Sequence, residues 1–203
     1  MQKLLSSFEK LIHTMETLLG PKGCPWDQKQ TLQTLRGDLL EEAHELIEAI
    51  DNGDEEHIKE ELADIFFLSC FLSLVAQKET SFKLENVIEQ GTEKLIRRHP
   101  HVFKGEVFKS ESDLAKRWEE IKKQEKKRSS LLEGIPKTLG ALAKAQKVIK
   151  KINYKKGKIP HKNELTAEEL SNRLIDLVEM AEENGLECEI ELSKALQKIT
   201  KKM

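Results

Sequence analysis

The sequence predicts an all-α protein, and three observations carry that prediction. Apolar residues recur every three or four positions over long stretches, which is the period of an amphipathic helix. No segment shows the strict apolar–polar alternation of a half-buried strand. The chain is also charge-rich (34%) and poor in aromatics (5%), with 5 Pro and 10 Gly in 203 residues, a composition suited to solvated helices. That length allows one large or two small domains.

The elements follow in order. Leu4, Leu5, Phe8, Leu11, Ile12, Met15, Leu18 and Leu19 share one face of a helix over residues 2–19, which Gly20-Pro21 stops. The loop GPKGCPWDQKQT follows. In it, Asp27 and Thr31 are equally good caps for the next helix, and Trp26 reads as a packing anchor or as a nucleobase contact, with the anchor favoured. A second helix runs from about Thr31 to Ile50 and ends in the turn signal Asp51-Asn52-Gly53-Asp54. The third covers about Glu55 to Gln77. Its stretch IFFLSCFLSLVA is apolar around the whole wheel, so it is expected to be buried on nearly all sides.

The acids of this pair of helices form a pattern. Glu41, Glu42 and Glu45 open it, and Glu61 and Asp64 close it. Glu42 and Glu45 are three apart, as are Glu61 and Asp64, so each pair projects from one helix face. At about 100° per residue, Leu39, Ala43, Leu46 and Ile50 form an apolar stripe with Glu42 on its edge. Most acids lie on solvated surface. Here, however, a carboxylate stands at the mouth of a helix expected to be buried, and that is costly unless it is paired or bound to metal. Two such helices packed antiparallel gather several carboxylate oxygens, the donor type Mg²⁺ takes. A metal site is the expectation.

Downstream, a helix over about Leu84 to Arg98 carries Lys94, Arg97 and Arg98. They read equally as last-turn cations that complement the helix dipole or as phosphate clamps. His99 and His101 flank a proline without metal-ligand spacing and are taken as structural. A charged helix spans 112–128, with Trp118 on its apolar side beside Leu114 and Ile121. The Lys-rich segment Gln124–Ser130 reads as a linker between halves. IPKTLGALAKAQKVIKK follows as a basic helix, then a Lys- and Gly-containing loop, Asn153–Asn163, then helices at about 167–184 and 187–202. The loop's lysines lack the interleaved aromatics of a stacking-based nucleic-acid site.

Composition narrows the partners. A net charge of -2 predicts no strong overall attraction to nucleic acid or membrane. No apolar run reaches bilayer length, and the N-terminus lacks signal-peptide features. Cys24, Cys70 and Cys188 form no metal spacing and read as reduced thiols in a cytoplasmic protein.

Six motifs lie along the chain: GCPWD at 23–27, LEEAHELIEAI at 40–50, ELADIFF at 61–67, KLIRRHPHVF at 94–103, RWEEIK at 117–122 and IPKTLGALAKAQK at 135–147. Together they resemble the MazG-type nucleoside triphosphate pyrophosphohydrolases of the all-α NTP pyrophosphatase superfamily. The acid signature alone would also fit dimeric dUTPases and phosphoribosyl-ATP pyrophosphohydrolases; GCPWD and RRHPHVF make it specific. The resemblance implies a dimeric helical bundle with tandem modules and Mg²⁺-dependent hydrolysis of nucleoside triphosphates to NMP and pyrophosphate, with Mn²⁺ as a possible substitute. It implies Glu42, Glu45, Glu61 and Asp64 as metal ligands and Glu41 as an outer-shell or water-orienting carboxylate. Lys94 and Arg98, with Arg97 beside them, would hold the triphosphate. Trp118 would lie near the nucleotide, and Trp26 remains a second candidate.

The second half departs from the pattern. Glu169-Leu-Ser-Asn172 stands where a second ExxD belongs, with Asn in place of the closing Asp. No EExxE precedes it; Glu164 and the pair Glu168-Glu169 are all that is supplied, although Lys198 keeps the register of the phosphate-binding Lys. A neutral amide removes most of a site's attraction for Mg²⁺. The expected organisation is therefore a catalytic module at 1–123, a linker at 124–134, and a degenerate second module at 135–203. Two rival readings are kept: a narrow dUTPase-like or modified-nucleotide hydrolase, and a non-enzymatic helical dimerisation or adaptor protein.

Overall fold

The computed structural model describes residues 1–125, 133–155 and 165–201. Among the described residues every α-helix or 3-10 turn is accounted for by α1 (Gln2–Leu19), a 3-10 turn (Asp27–Lys29), α2 (Arg36–Asn52), α3 (Glu55–Glu79), α4 (Leu84–Arg98), α5 (Pro100–Phe103), α6 (Glu111–Glu125), α7 (Ala141–Lys155), α8 (Ala167–Glu183) and α9 (Cys188–Lys201), and no strand occurs. No helix among them is long and apolar enough to cross a membrane. The chain divides into two compact units, Met1–Arg97 and Arg98–Met203.

In the first unit, α2 and α3 form a tight helical hairpin and α1 packs on α3. The core joins Met15, Leu35, Leu68, Phe71, Leu74, Val75 and Leu84, with Phe8, Leu11, Ile12 and Leu19 of α1 laid against it. Burial pushes the Cys70 thiol up, so it stays protonated and behaves as a small apolar residue. The loop after α1 folds back on that helix. Cys24 N donates to Leu18 O at 2.9 Å, and the Gln28 side chain donates to Gly20 O at 2.6 Å, so carbonyls left open at the helix end are satisfied. A Cβ at Gly23 would collide with the Leu18 and Thr17 carbonyl oxygens, which is why this position tolerates only glycine.

The structure corrects three expectations in this unit. Trp26 is 63% exposed and does not anchor the loop; the backbone bonds around Gly23 do. Neither Asp27 nor Thr31 caps α2, whose N-cap is Leu35 without a side-chain bond; Thr34 N instead donates to the Thr31 hydroxyl at 3.2 Å, and Thr31 N to the Thr34 hydroxyl at 3.0 Å, closing a turn ahead of the helix. The turn so closed delays α2 to Arg36. Third, α3 is not buried all round. Its C-terminal half buries Leu68, Cys70, Phe71, Leu74, Val75 and Ala76, while Leu62 and Phe66 are each 51% exposed.

In the second unit, α7 packs on α9 around Ala145, Val148 and Leu196. The Ala141 backbone N at the start of α7 donates to Glu189 Oε1 at 2.5 Å, so a carboxylate from the first turn of α9 caps a helix 48 residues earlier. α8 opens with a capping box between Thr166 and Glu169 and buries none of its residues. The expected linker at 124–134 and the loop at 153–163 lie largely outside the described residues. The division between units falls earlier than the expected linker, at the end of α4, where His99-Pro100 ends the helix.

Candidate functional site

The acids are brought together by the α2–α3 hairpin. α2 ends at Asn52 and α3 starts at Glu55, so only Gly53 and Asp54 make the turn. Gly53 adopts φ 68°, the left-handed conformation that closes a helix and that a side chain would oppose; its N–H reaches the Ala49 and Ile50 carbonyls. Asp54 then caps α3, its carboxylate accepting from Glu56 N and His57 N, each at 3.1 Å. Counted from Gly53, Glu45 lies eight residues before and Glu61 eight after; Glu42 lies eleven before and Asp64 eleven after. With equal rise per residue on two antiparallel helices, each EExxE ligand meets an ExxD ligand at the same height.

One ligand oxygen from each of Glu42, Glu45 and Glu61 lies within 4.8 Å of the others. Glu61 is the buried member, 6% exposed, Glu42 is half-buried and Glu45 exposed. Glu41 is exposed. Burial pushes the Glu42 carboxyl above the usual range, and the charges of Asp64, Glu45, Glu61 and Glu41 push it the same way, in that order. Asp64 heads the electrostatic causes because it stands opposite Glu42 in the hairpin register. The face that α2 shelters is not the stripe read from the sequence. Leu35 and Ala49 are buried while Leu39 and Ile50 are 40% and 56% exposed, so the sheltered face is rotated and Glu42 sits inside it rather than on its edge.

One residue that the sequence reading passed over touches this group. His57 Nε2 lies 3.0 Å from Glu61 Oε1. The other Glu61 oxygen, Oε2, is buried without a hydrogen-bond partner. An ionised carboxylate oxygen cannot be left so without cost. A hard cation is the natural partner for an oxygen in this company, so the donor set fits Mg²⁺. The available signal was the four-residue spacing of His57 and Glu61 on one helix face.

The cations occupy both units. Lys94 and Arg97 are exposed on the last turn of α4 in the first unit. Arg98 and Trp118 belong to the second, where Arg98 grips Glu125 through Nε and an NH2 nitrogen at 3.1 and 2.5 Å, with side chains only 13% and 12% exposed. The Arg98 guanidinium also lies 5.7 Å from the centre of the Trp118 ring, and His99 meets that ring edge-on at 4.9 Å. Trp118 is thus held by Arg98 and His99, in keeping with the structural part expected for the histidine.

Comparison with known proteins gives a consistent result. The model of the MazG nucleotide pyrophosphohydrolase domain matches residues 30–103, the stretch holding all five acids. The chain is 45% identical over 147 residues to the uncharacterized protein YabN of Bacillus subtilis, covering 71% of this chain and 29% of that one. It is 45% identical over 143 residues to the nucleoside triphosphate pyrophosphohydrolase/pyrophosphatase MazG of Thermotoga maritima, covering 70% and 54%. The crystal structure of a mazG-related protein from Thermotoga maritima superimposes with a TM-score of 0.50 at 33% identity, covering 57% of this chain and 98% of that one. The chain spans about half the length, or less, of the curated relatives named here.

Proposed function

Because the chain belongs to the MazG family, we propose that it hydrolyses nucleoside triphosphates between the α and β phosphates, giving NMP and pyrophosphate. The observation that carries this reading is the hairpin register, which sets two acid pairs at equal distances from Gly53 and leaves Glu61 Oε2 buried and unpartnered. Glu42, Glu45, Glu61 and Asp64 are the proposed ligands of Mg²⁺, or of Mn²⁺ in its place. A bound ion would supply Lewis-acid chemistry, lowering the pKa of water and neutralising charge on the triphosphate. Water attacks the α-phosphorus and pyrophosphate leaves. Glu41, exposed beside the ligands, is assigned to orienting that water.

Lys94 and Arg97 are the proposed triphosphate contacts, and Trp118 and Trp26 the candidates for the nucleoside. Arg98 is kept among the phosphate contacts with one condition. Glu125 fills the fork that a phosphate would take, so this role requires the ion pair to open. A homodimer is part of the proposal, supported by the apolar side chains left exposed on the hairpin, Ile47, Ile50, Leu62 and Phe66. The segment 135–203, within the second unit, is assigned a packing or dimerising role without catalysis, supported by Asn172 and by the capping use of Glu169.

The test is a panel of NTPs and dNTPs with Mg²⁺, products separated by ion exchange, with Asp64→Asn alongside. NMP and pyrophosphate from the wild type, lost in the variant, is the expected result. Production of NDP and phosphate would refute the reaction, and a folded protein that turns over no nucleotide would restore the adaptor reading.

A further inference from the structure

We propose that His57 is a positioning residue for the metal site: its Nε2–H holds one Glu61 oxygen and so commits the other to the cation. The inference rests on the metal-site reading given above. A carboxylate only accepts hydrogen bonds, so the His57 nitrogen 3.0 Å from Glu61 Oε1 must carry the proton. Side chains on a helix lean toward its N-terminus. His57, one turn before Glu61, therefore lies under the Glu61 carboxylate. The backbone of His57 is itself fixed, since its N–H is held by the Asp54 cap at 3.1 Å. A chain of contacts thus runs from the Gly53 turn through Asp54 and His57 to Glu61.

The pair differs from a surface ion pair in its burial. The Glu61 side chain is 8% exposed and the His57 side chain 38%, so one end of the bond is solvated and the other faces the acid cluster. Without the imidazole, the Glu61 carboxylate would be free to rotate and could present either oxygen or both. With it, a single oxygen is left without a protein partner. Hydrogen bonds of this outer kind orient ligands and raise affinity for the ion.

The test measures Mn²⁺ binding directly by electron paramagnetic resonance in nucleotide-free protein, for wild type, His57→Ala and His57→Gln. Because His57 is half-buried and outside the core, both variants are expected to melt near the wild type. His57→Ala should weaken Mn²⁺ binding about 10–100-fold, the range for losing such an outer partner. His57→Gln, whose amide can donate in place of Nε2, should recover most of it. Unchanged affinity in His57→Ala, or a Gln variant as weak as Ala, overturns the positioning role alone. Spin-echo coupling of Mn²⁺ to an imidazole nitrogen, lost in His57→Ala, would make His57 a ligand and also overturn it. A wild type that binds no Mn²⁺ overturns the metal-site reading beneath it.

Discussion

Divalent cations should raise the melting temperature of this protein, and the acid cluster sets the size of the effect. Ligand oxygens of Glu42, Glu45 and Glu61 lie within 4.8 Å of one another. At that distance two unit charges repel by roughly 3.5 kcal/mol at an effective dielectric of about 20, and by roughly 0.9 kcal/mol in bulk water. Glu61 is buried and Glu45 exposed, so the pairs fall between these limits. Repulsion of this order is a sizeable fraction of the ~5–15 kcal/mol that holds a domain folded, and a bound cation relieves it. An ion at 100 times its Kd that binds only the native state contributes about 2.7 kcal/mol. For a chain of this size each kcal/mol moves Tm by about 2–4 °C, so the expected rise is about 5–11 °C. Melts followed by circular dichroism in Mg²⁺, against KCl of equal ionic strength, measure it. Glu61→Gln, which removes the buried charge while keeping an acceptor for His57, should abolish most of the shift. The reasoning is refuted if KCl raises Tm as much as Mg²⁺, or if Glu61→Gln keeps the full response.

Two further predictions concern charge in each unit. Glu42 has its pKa raised by burial first and then by its acidic neighbours. The folded state therefore holds this proton more tightly than the unfolded chain, and ionising Glu42 costs stability as pH climbs from the unfolded carboxylate range through the raised value. Metal-free Glu42→Gln should accordingly need more urea to unfold than wild type near neutral pH, and the gap should close below about pH 4. A gap that widened in acid would contradict the sign. In the second unit, Glu125→Gln removes the charge facing Arg98 and should cost about 1.5–3 kcal/mol. It should also change Trp118 emission, read above the constant signal of the exposed Trp26; an unchanged spectrum would show that the Arg98–Glu125 pair does not hold the ring.

What could be read from the sequence was what depends on local spacing. The acid pairs, the Asp51–Asp54 turn and the two closing helices all follow from periods of three to four residues and from turn chemistry, whereas α2 and α7 begin five and six residues later than expected and the short α5 was not foreseen. Burial was harder to read. Leu39 and Ile50 look like core positions on a helical wheel, yet α2 turns Leu35, Glu42 and Ala49 inward instead, because the choice of face is made by what α3 offers and not by α2 alone. The Arg98–Glu125 pair spans 27 residues, and no periodicity announces such a contact. Nor does composition show that Glu189 caps α7. His57 sits between these cases: its spacing to Glu61 was visible, but its meaning depends on the burial of Glu61.

The acids of the second unit show why spacing alone does not make a site. Glu169 stands where the first Glu of a second ExxD would be, but it is the third residue of α8 and its carboxylate accepts from Thr166 N at 2.9 Å. Glu169 N in turn donates to the Thr166 hydroxyl at 3.1 Å. Glu169 and Glu189 are thus each bound to a backbone donor at a helix start, where negative charge is favourable. Among the described residues, the grouping of three carboxylates occurs in the first unit alone. The two uses respond differently to mutation. A capping box accepts Gln as well as Glu at its third position, so Glu169→Gln should leave both Tm and hydrolysis close to wild type. Glu169→Ala should lose about 0.5–2 kcal/mol, the cost of a missing cap, again without loss of turnover per folded molecule. A metal ligand would behave in the opposite way, since Gln keeps the shape but not the charge. If Glu169→Gln abolished hydrolysis while the protein stayed folded, the segment 135–203 would have to hold a working carboxylate, and a purely packing or dimerising role for it would be untenable.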